Sequence, residues 1–168
     1  MKMRIAVVSD THVPRFASRL HAALERVAAA RPDLILHCGD LTSLEATEAL
    51  ARIGPVEAVA GNNDGPEIVA RYGRRRIVMA GGVRIGMVHG DGRRGTTLGR
   101  ARAAFAEERV DAIAFGHSHI PYVERHEGVW LVNPGSPTDR RRQPRFSFAI
   151  LDVSGPGSIS PRLVYFDA

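Results

Sequence analysis

Phe115-Gly116-His117-Ser118-His119 sets two imidazoles one residue apart, directly after an apolar, strand-like run over residues 110–115. Residues i and i+2 share a side only in extended chain, so both rings converge only if Ser118 turns away or the backbone coils there. Gly116 suits such a bend, because glycine adopts backbone angles that other residues avoid. Two neutral imidazoles held at a strand end suit a mid-to-late divalent transition metal. Taken alone, the pair is also compatible with hydrogen-bonded histidines in a turn. What decides between these readings is the set of residues placed at the other strand ends.

Working back from the pair, residues 3–8 form a buried apolar strand that ends in Ser9-Asp10-Thr11-His12. Leu20, Leu24 and Val27 recur at helical spacing over residues 17–30, and Arg31-Pro32 stops the pattern. A second buried strand, residues 34–38, runs into Gly39-Asp40, and Thr42-Ser43-Leu44-Glu45 reads as a capping box opening a helix to about Ile53. A third strand, residues 56–60, ends in Gly61-Asn62-Asn63-Asp64-Gly65, with Pro66 placed to start a short helix. Residues 77–79 and 83–88 pair through a Gly81-Gly82 hairpin, and the second segment ends in His89-Gly90-Asp91-Gly92. Residues 97–108 then read as a helix with Leu98, Ala101 and Phe105 on its apolar face. After the histidine pair the chain is β-rich: residues 122–126, 129–132, 146–153 and 162–166, with Asn133-Pro134-Gly135-Ser136 following the second of these. The segment over residues 138–145 is the expected mobile loop. One α/β domain over residues 1–168 is the expectation, with no internal repeat or linker.

Composition narrows the function class. A chain of 168 residues with 44% hydrophobic and 24% charged residues can bury a real core and is not of disordered type. A single cysteine, Cys38, excludes an intramolecular disulfide and fits a reducing compartment. The apolar run after Met1-Lys2-Met3-Arg4 breaks at Ser9-Asp10, too early for a signal peptide, and no run reaches the length of a membrane span. Cytoplasm is therefore the expected location. The net charge of +5 and pI of about 10.3 invite a nucleic-acid reading. Yet 22 of the 23 basic residues are arginine, and aromatics are only 6%, leaving few stacking platforms. Arg74-Arg75-Arg76 and Arg140-Arg141-Arg142 read as solvated loop charges that bias the surface toward anionic ligands.

Five strand ends thus carry potential ligands: Asp10 with His12, Asp40, Asn62, His89, and His117 with His119. Singly, the carboxylates and Asn62 read as helix caps or turn formers, and His89 as a buried hydrogen-bonded ring. In α/β folds, loops at the carboxyl ends of strands gather in one crevice, so residues distant in sequence can meet there. Together, and in that order, they read as a metal site. The succession Asp10-Thr11-His12, Gly39-Asp40, Gly61-Asn62-Asn63-Asp64, His89-Gly90 and Gly116-His117-Ser118-His119 resembles the motifs of the calcineurin-like metallophosphoesterases. The short chain and Asn133-Pro134-Gly135-Ser136 resemble the small bacterial and archaeal phosphodiesterase branch.

That resemblance implies a two-sheet β-sandwich flanked by helices, with a dinuclear metal site at its edge. It implies Asp40 bridging two divalent transition metal ions. Asp10, His12 and His119 complete one sphere, and Asn62, His89 and His117 the other. Manganese is favoured by the family, and nickel, zinc, iron and cobalt suit the same mixed carboxylate and imidazole donors. Two divalent ions, two carboxylates and a bridging hydroxide leave about +1 to attract a phosphate ester, with no protein nucleophile required. On this reading Asp40, Asn62 and His89 are also the catalytic set. Two departures stand out. Asn63 occupies the position where many members carry a histidine that protonates the leaving group. Asp91 replaces the second imidazole of the family's His-Gly-His motif, and is read as an orienting residue or proton donor. Arg93 and Arg94 are candidate phosphate contacts. The implied partner is a small phosphodiester, with no membrane; a nuclease or nucleotide phosphatase activity is the less favoured reading, and a homo-oligomer is compatible with the sequence. The main rival is a protein-binding scaffold with weak or no catalysis, as in the retromer-type relatives on this fold.

Overall fold

The computed structural model describes residues 2–167. The elements run β1 (Met3–Val8), α1 (Ala17–Ala29), β2 (Leu34–His37), α2 (Glu45–Ala51), β3 (Val56–Ala58), α3 (Pro66–Tyr72), β4 (Arg75–Ala80), β5 (Val83–Val88), α4 (Thr97–Ala104), β6 (Ala112–Ala114), β7 (Tyr122–His126), β8 (Val129–Asn133), β9 (Phe146–Gly155) and β10 (Ser158–Phe166). They form two five-stranded sheets, ordered β10-β9-β1-β2-β3 and β4-β5-β6-β8-β7. β1 and β2 are apolar on both faces, which suits central parallel strands covered on both sides.

The alternation of their side chains builds the layers. Ile5, Val7, Leu34 and Leu36 point between the sheets, where they meet Ile85, Met87, Ala114 and Leu151. Ala6, Val8 and Ile35 point the other way, against Ala23 and Val27 of α1 and Leu50 of α2. On the far side, Ala101 of α4 and Phe105 just after it cover Ile113 and Leu131. The result is a mixed α/β sandwich of two sheets flanked by helices. β1, β2 and β3 run parallel, as do β5, β6 and β8. Their carboxyl ends converge on one edge of the sandwich, where loop residues of the two sheets touch: His117 N–H donates to Asp10 Oδ2 at 3.0 Å and Cys38 O accepts from the His89 ring.

Two local expectations are modified. No capping box forms at residues 42–45: Thr42 adopts a left-handed φ of 63° and donates its hydroxyl to Val13 O instead. That hydroxyl joins the loop after β1 to the loop after β2. The last helix before β6 ends at Ala104 rather than Glu108, and turns carry the chain onward. Phe105 seats its ring where a side chain on Gly86 would otherwise lie, and Arg75 takes the Ala104 carbonyl, so the helix ends there. Pro66 opens α3, and Gly81 and Gly82 turn the hairpin with φ of 60° and 85°.

Candidate metal centre

The loops after β1, β2 and β6 share one backbone device. Asp10 and His12 (φ 57° and 47°), Asp40 and Thr42 (57° and 63°), and His117 and His119 (70° and 61°) are left-handed non-glycine residues two apart. Such conformations cost about 1 to 2 kcal/mol each and gather at functional sites. At residues 10 and 12 and at 117 and 119 they coil the backbone so that residues i and i+2 turn to the same crevice, while the turn at residues 40 and 42 sends Asp40 to the crevice and the Thr42 hydroxyl to Val13 O. Ser118 accordingly points away and bonds to Asn133.

Gly116 serves the pair for a different reason from the one its sequence position suggests. Its φ is not positive; a Cβ there would overlap Ser9 Oγ and stand 2.6 Å from Asp10 Oδ2. The strand-end glycine therefore permits close approach of two loops rather than an unusual bend.

At the centre lies the fully buried carboxylate of Asp10. Its Oδ2 accepts from Ser9 Oγ at 2.7 Å and from His117 N–H at 3.0 Å. Its Oδ1 faces Nε2 of His119, His89 and His12 at 3.4, 3.7 and 3.8 Å. Asp40 Oδ2 stands 3.3 Å from His89 Nε2 and 3.5 Å from His12 Nε2. Two ligand groups result, Asp10 with His12 and His119, and Asp10 with Asp40 and His89. Within each, the ligand atoms lie within 4.8 Å of one another. Asp10 is the member common to both.

These atoms fit a cation. Asp10 Oδ1 and the Nε2 atoms of His12, His89 and His119 are buried without a hydrogen-bond partner, a cost that coordination would remove. The rings are aimed from behind: Nδ1–H of His89 donates to Cys38 O at 2.7 Å, and Nδ1–H of His119 donates to Asp139 O. A carbonyl only accepts, so in each neutral ring the free lone pair sits on Nε2 and faces the crevice. Mixed oxygen and nitrogen donors of this kind suit transition metals.

Charge within the site is strongly coupled. Burial raises the Asp10 carboxyl, but His119, His12 and His89 more than offset it and hold the group well below the usual range. Burial likewise opposes ionisation of Asp40, yet His89 and the Asn63 hydrogen bonds bring it down to about 2. Burial disfavours charge on His89, but Asp40 and Asp10 raise it to about 9. His117 is lowered by burial and by the His89 charge, and rests half-buried with its ring edge-on to His89 at 5.2 Å. Asn62 and Asn63 are both exposed, and Asn63 donates its backbone N–H to Asp40 Oδ1 at 2.9 Å and its amide to Asp40 Oδ2 at 2.8 Å. Asp91 is exposed on the loop beyond His89, and its charge acts on His117. Arg93 and Arg94 are exposed on the same loop, whose carbonyls at Gly90, Arg94 and Gly95 are gathered by Arg100.

Two residues at the site escaped sequence reasoning. Asp64, buried, accepts backbone N–H bonds from Asp40 (2.8 Å), Leu41 (3.3 Å), Thr42 (2.7 Å) and Gly61 (2.8 Å). It holds the Asp40 loop in its left-handed course. The signal was present in Gly61-Asn62-Asn63-Asp64, where a carboxylate follows a turn. His37, fully buried and lowered to about 4 by that burial, is neutral. Its Nδ1 accepts from Gly39 N–H at 3.1 Å, so its Nε2–H donates to Thr11 Oγ1 at 3.0 Å, tying the first two ligand loops together. From the other sheet, Ser136 Oγ donates to Asp10 O and Thr138 Oγ1 to Thr11 O, both at 2.8 Å. Thr138 and Asp139, the start of the loop expected to be mobile, are thus tied into the site.

Residues 3–155 match the family model of the calcineurin-like phosphoesterase superfamily domain. The chain belongs to that superfamily. A probable metallophosphoesterase of Methanothermobacter thermautotrophicus is 39% identical over 141 residues, 81% of this chain and 78% of the relative. Among solved structures, an archaeal phosphodiesterase superposes with a TM-score of 0.77 at 21% identity, covering 98% of this chain and all of the other. Vps29 of Chaetomium thermophilum superposes with a TM-score of 0.78 at 21% identity, covering 98% and 97%. At that identity the two structures establish the shared fold, and the calcineurin-like assignment rests on the sequence match. Among the described residues no helix is long and apolar enough to cross a membrane.

Two outcomes are expected. Asp64→Ala leaves four backbone N–H groups without their acceptor, so urea unfolding should show a loss of about 3 kcal/mol or more; a loss under about 1 kcal/mol would show that water replaces the carboxylate. Because His89 is raised to about 9, it carries a proton at pH 7 in metal-stripped protein, and ligation must expel it. Calorimetric metal binding at pH 7 should then depend on the ionisation enthalpy of the buffer, with affinity rising as pH approaches 9; heats independent of buffer would mean that His89 is already neutral.

Proposed function

We propose that the chain, as a single domain over residues 1–168, is a metal-dependent phosphodiesterase with two divalent transition metal ions at the strand-end crevice. The observation that carries this reading is the set of four buried, unpartnered atoms, Asp10 Oδ1 and Nε2 of His12, His89 and His119, facing one another. In this reading Asp10, His12 and His119 hold one ion, and Asp40 and His89 serve the other, with Asn62 and His117 as the further donors that the family motif implies. Manganese is favoured by family analogy, with nickel, zinc, iron and cobalt compatible with the donors. Two such ions would supply Lewis-acid charge for a phosphate ester and lower the pKa of water.

The chain's own groups set up that chemistry. Asp10 and Asp40 remain ionised at neutral pH, so they are ready ligands. Cys38 and Asp139 carbonyls fix the tautomers of His89 and His119. Asn63 hydrogen-bonds Asp40 and has no proton to give a departing alkoxide, so turnover favours esters with good leaving groups. Arg93 and Arg94 are proposed contacts for the anionic ester. A second reading, a protein-binding scaffold, draws on the structural likeness to Vps29. A nuclease activity would show itself by a steep fall of binding with salt.

The test is hydrolysis of bis(p-nitrophenyl) phosphate and p-nitrophenyl phosphate by metal-stripped protein, before and after manganese, nickel, zinc or magnesium is returned. Diester turnover that requires a transition metal and falls at least about 100-fold in Asp40→Asn and His117→Ala is expected. Tight binding of two metals with no turnover of either ester would favour the scaffold. In a series of substituted aryl diesters, the rate should climb as leaving-group pKa falls, and a flat dependence would point to a proton donor supplied by the protein.

A further inference from the structure

The chain leaves His89 through a loop, residues 90–95, that is exposed from Asp91 onward. Gly90, Gly92 and Gly95 recur in it, so the segment has little conformational preference of its own. Among the described residues no backbone–backbone hydrogen bond joins residues 90–95 to the rest of the chain. One side chain shapes the loop instead. Arg100 of α4 donates from Nε to Gly90 O at 2.8 Å, and from one terminal nitrogen to Arg94 O and Gly95 O, both at 2.9 Å. Its other terminal nitrogen donates to Thr97 Oγ1 at 3.3 Å. The backbone closes around the arginine stem: a Cβ on Gly92 would stand 2.4 Å from Arg100 Cδ and 3.0 Å from Nε.

Both ends of this clamp are fixed by other contacts. On the helix side, Arg100 N–H donates to Thr96 O at 2.9 Å, Thr96 Oγ1 accepts from Gly99 N–H at 3.0 Å, and the neighbouring Ala101 is fully buried. On the loop side, Gly90 follows His89, whose ring is aimed by Cys38 O, and packs so closely that a Cβ there would stand 2.9 Å from Thr97 Cγ2. Between these ends the loop runs beside the crevice. The Asp91 charge reaches His117, and the exposed Arg93 and Arg94 come next. Gathering three carbonyls takes several N–H donors on one rigid plane, which a guanidinium has and the single ammonium of lysine lacks.

We infer that Arg100 is a positioning residue for the substrate: by holding residues 90–95 it fixes the loop beside the crevice and, with it, the arginines proposed to meet the phosphate. The inference rests on the phosphodiesterase reading above. A loop ordered before the ester arrives does not have to be ordered by it, so the clamp acts on affinity rather than on the chemical step. Arg100 itself touches neither metal nor ester in this role. The aim of His89 does not depend on it, because Cys38 O holds that ring from the other sheet.

The test compares Arg100→Gln, Arg100→Lys and Gly92→Ala with the unmodified protein. Gly92→Ala crowds the clamp from the loop side and keeps every charge. In metal-stripped protein, amide relaxation measured by nuclear magnetic resonance should show residues 91–95 as rigid as their neighbours, with fast motion there in all three variants. At equal zinc content, affinity for dimethyl phosphate should fall at least about fivefold in each variant, and KM for bis(p-nitrophenyl) phosphate should rise by the same factor while kcat stays within about twofold. Full affinity in Arg100→Lys would mean that charge alone is required, and would overturn the clamp. So would a loop that stays rigid in Arg100→Gln, or one that becomes mobile with no change in dimethyl phosphate affinity. If the unmodified protein hydrolyses diesters and the variants match its KM, the positioning role falls and the phosphodiesterase reading stands; if no diester is turned over but dimethyl phosphate binds and binds more weakly to the variants, the positioning role stands and the activity falls.

Discussion

The rest of the structure depends on how the Asp10 carboxylate is held. It is fully buried, and one of its oxygens is tied down by Ser9 and the His117 backbone. The other faces three imidazole nitrogens at 3.4 to 3.8 Å and has no hydrogen-bond partner. A charge so placed is expensive unless it is compensated. In the protein alone, Asp40 and Asp10 raise His89 to about 9 against its burial, and its proton offsets part of that charge. A divalent cation would replace that proton and satisfy the orphaned nitrogens at once. The donor set at this edge fits a metal for that reason.

Holding such a carboxylate demands backbone that ordinary strands and helices do not provide. Six non-glycine residues in left-handed conformations, Asp10, His12, Asp40, Thr42, His117 and His119, bear the strain. Their cost, about 1 to 2 kcal/mol each, is offset by the sandwich beneath, whose core between the sheets runs from Ile5 to Leu151. Local bonds distribute the load. Asp64 gathers four backbone N–H groups of the Asp40 and Gly61 turns, His37 bridges Thr11 and Gly39, and Ser136 and Thr138 reach across from the other sheet. The sheets and the crevice are thus one construction: slippage of a strand would move a ligand, and loss of a clamp would release a strained turn.

The relation between fold and activity is correspondingly loose. The same sandwich superposes on an archaeal phosphodiesterase and on Vps29 with nearly equal TM-scores, 0.77 and 0.78. What separates one use of the fold from another is therefore the donor set and the surface around it. Here the carboxylates and imidazoles are assembled, and a basic loop at Arg93 and Arg94 lies beyond His89.

Much of this was legible in the sequence, because apolar runs ending in polar residues report both the strands and what they present. The order Asp10, His12, Asp40, Asn62, His89, His117, His119 identified the calcineurin-like family, and the periodicity of Leu20, Leu24 and Val27 marked α1. Residue types and local spacing are enough for such features, since they depend on near neighbours along the chain. Tertiary structure decided the remainder. Gly116 reads as a flexible bend, but it is there because Ser9 and Asp10 pass where a Cβ would lie. Thr42 reads as a helix cap, but its hydroxyl is taken by Val13 from another loop. Asn63, not Asn62, donates to Asp40, and Asp64 and His37 gained their roles only when loops 22 or more residues apart were brought together. Those assignments turn on which unpaired donors and acceptors meet at the sheet edge. That is a property of the packed loops, and no window of sequence contains it.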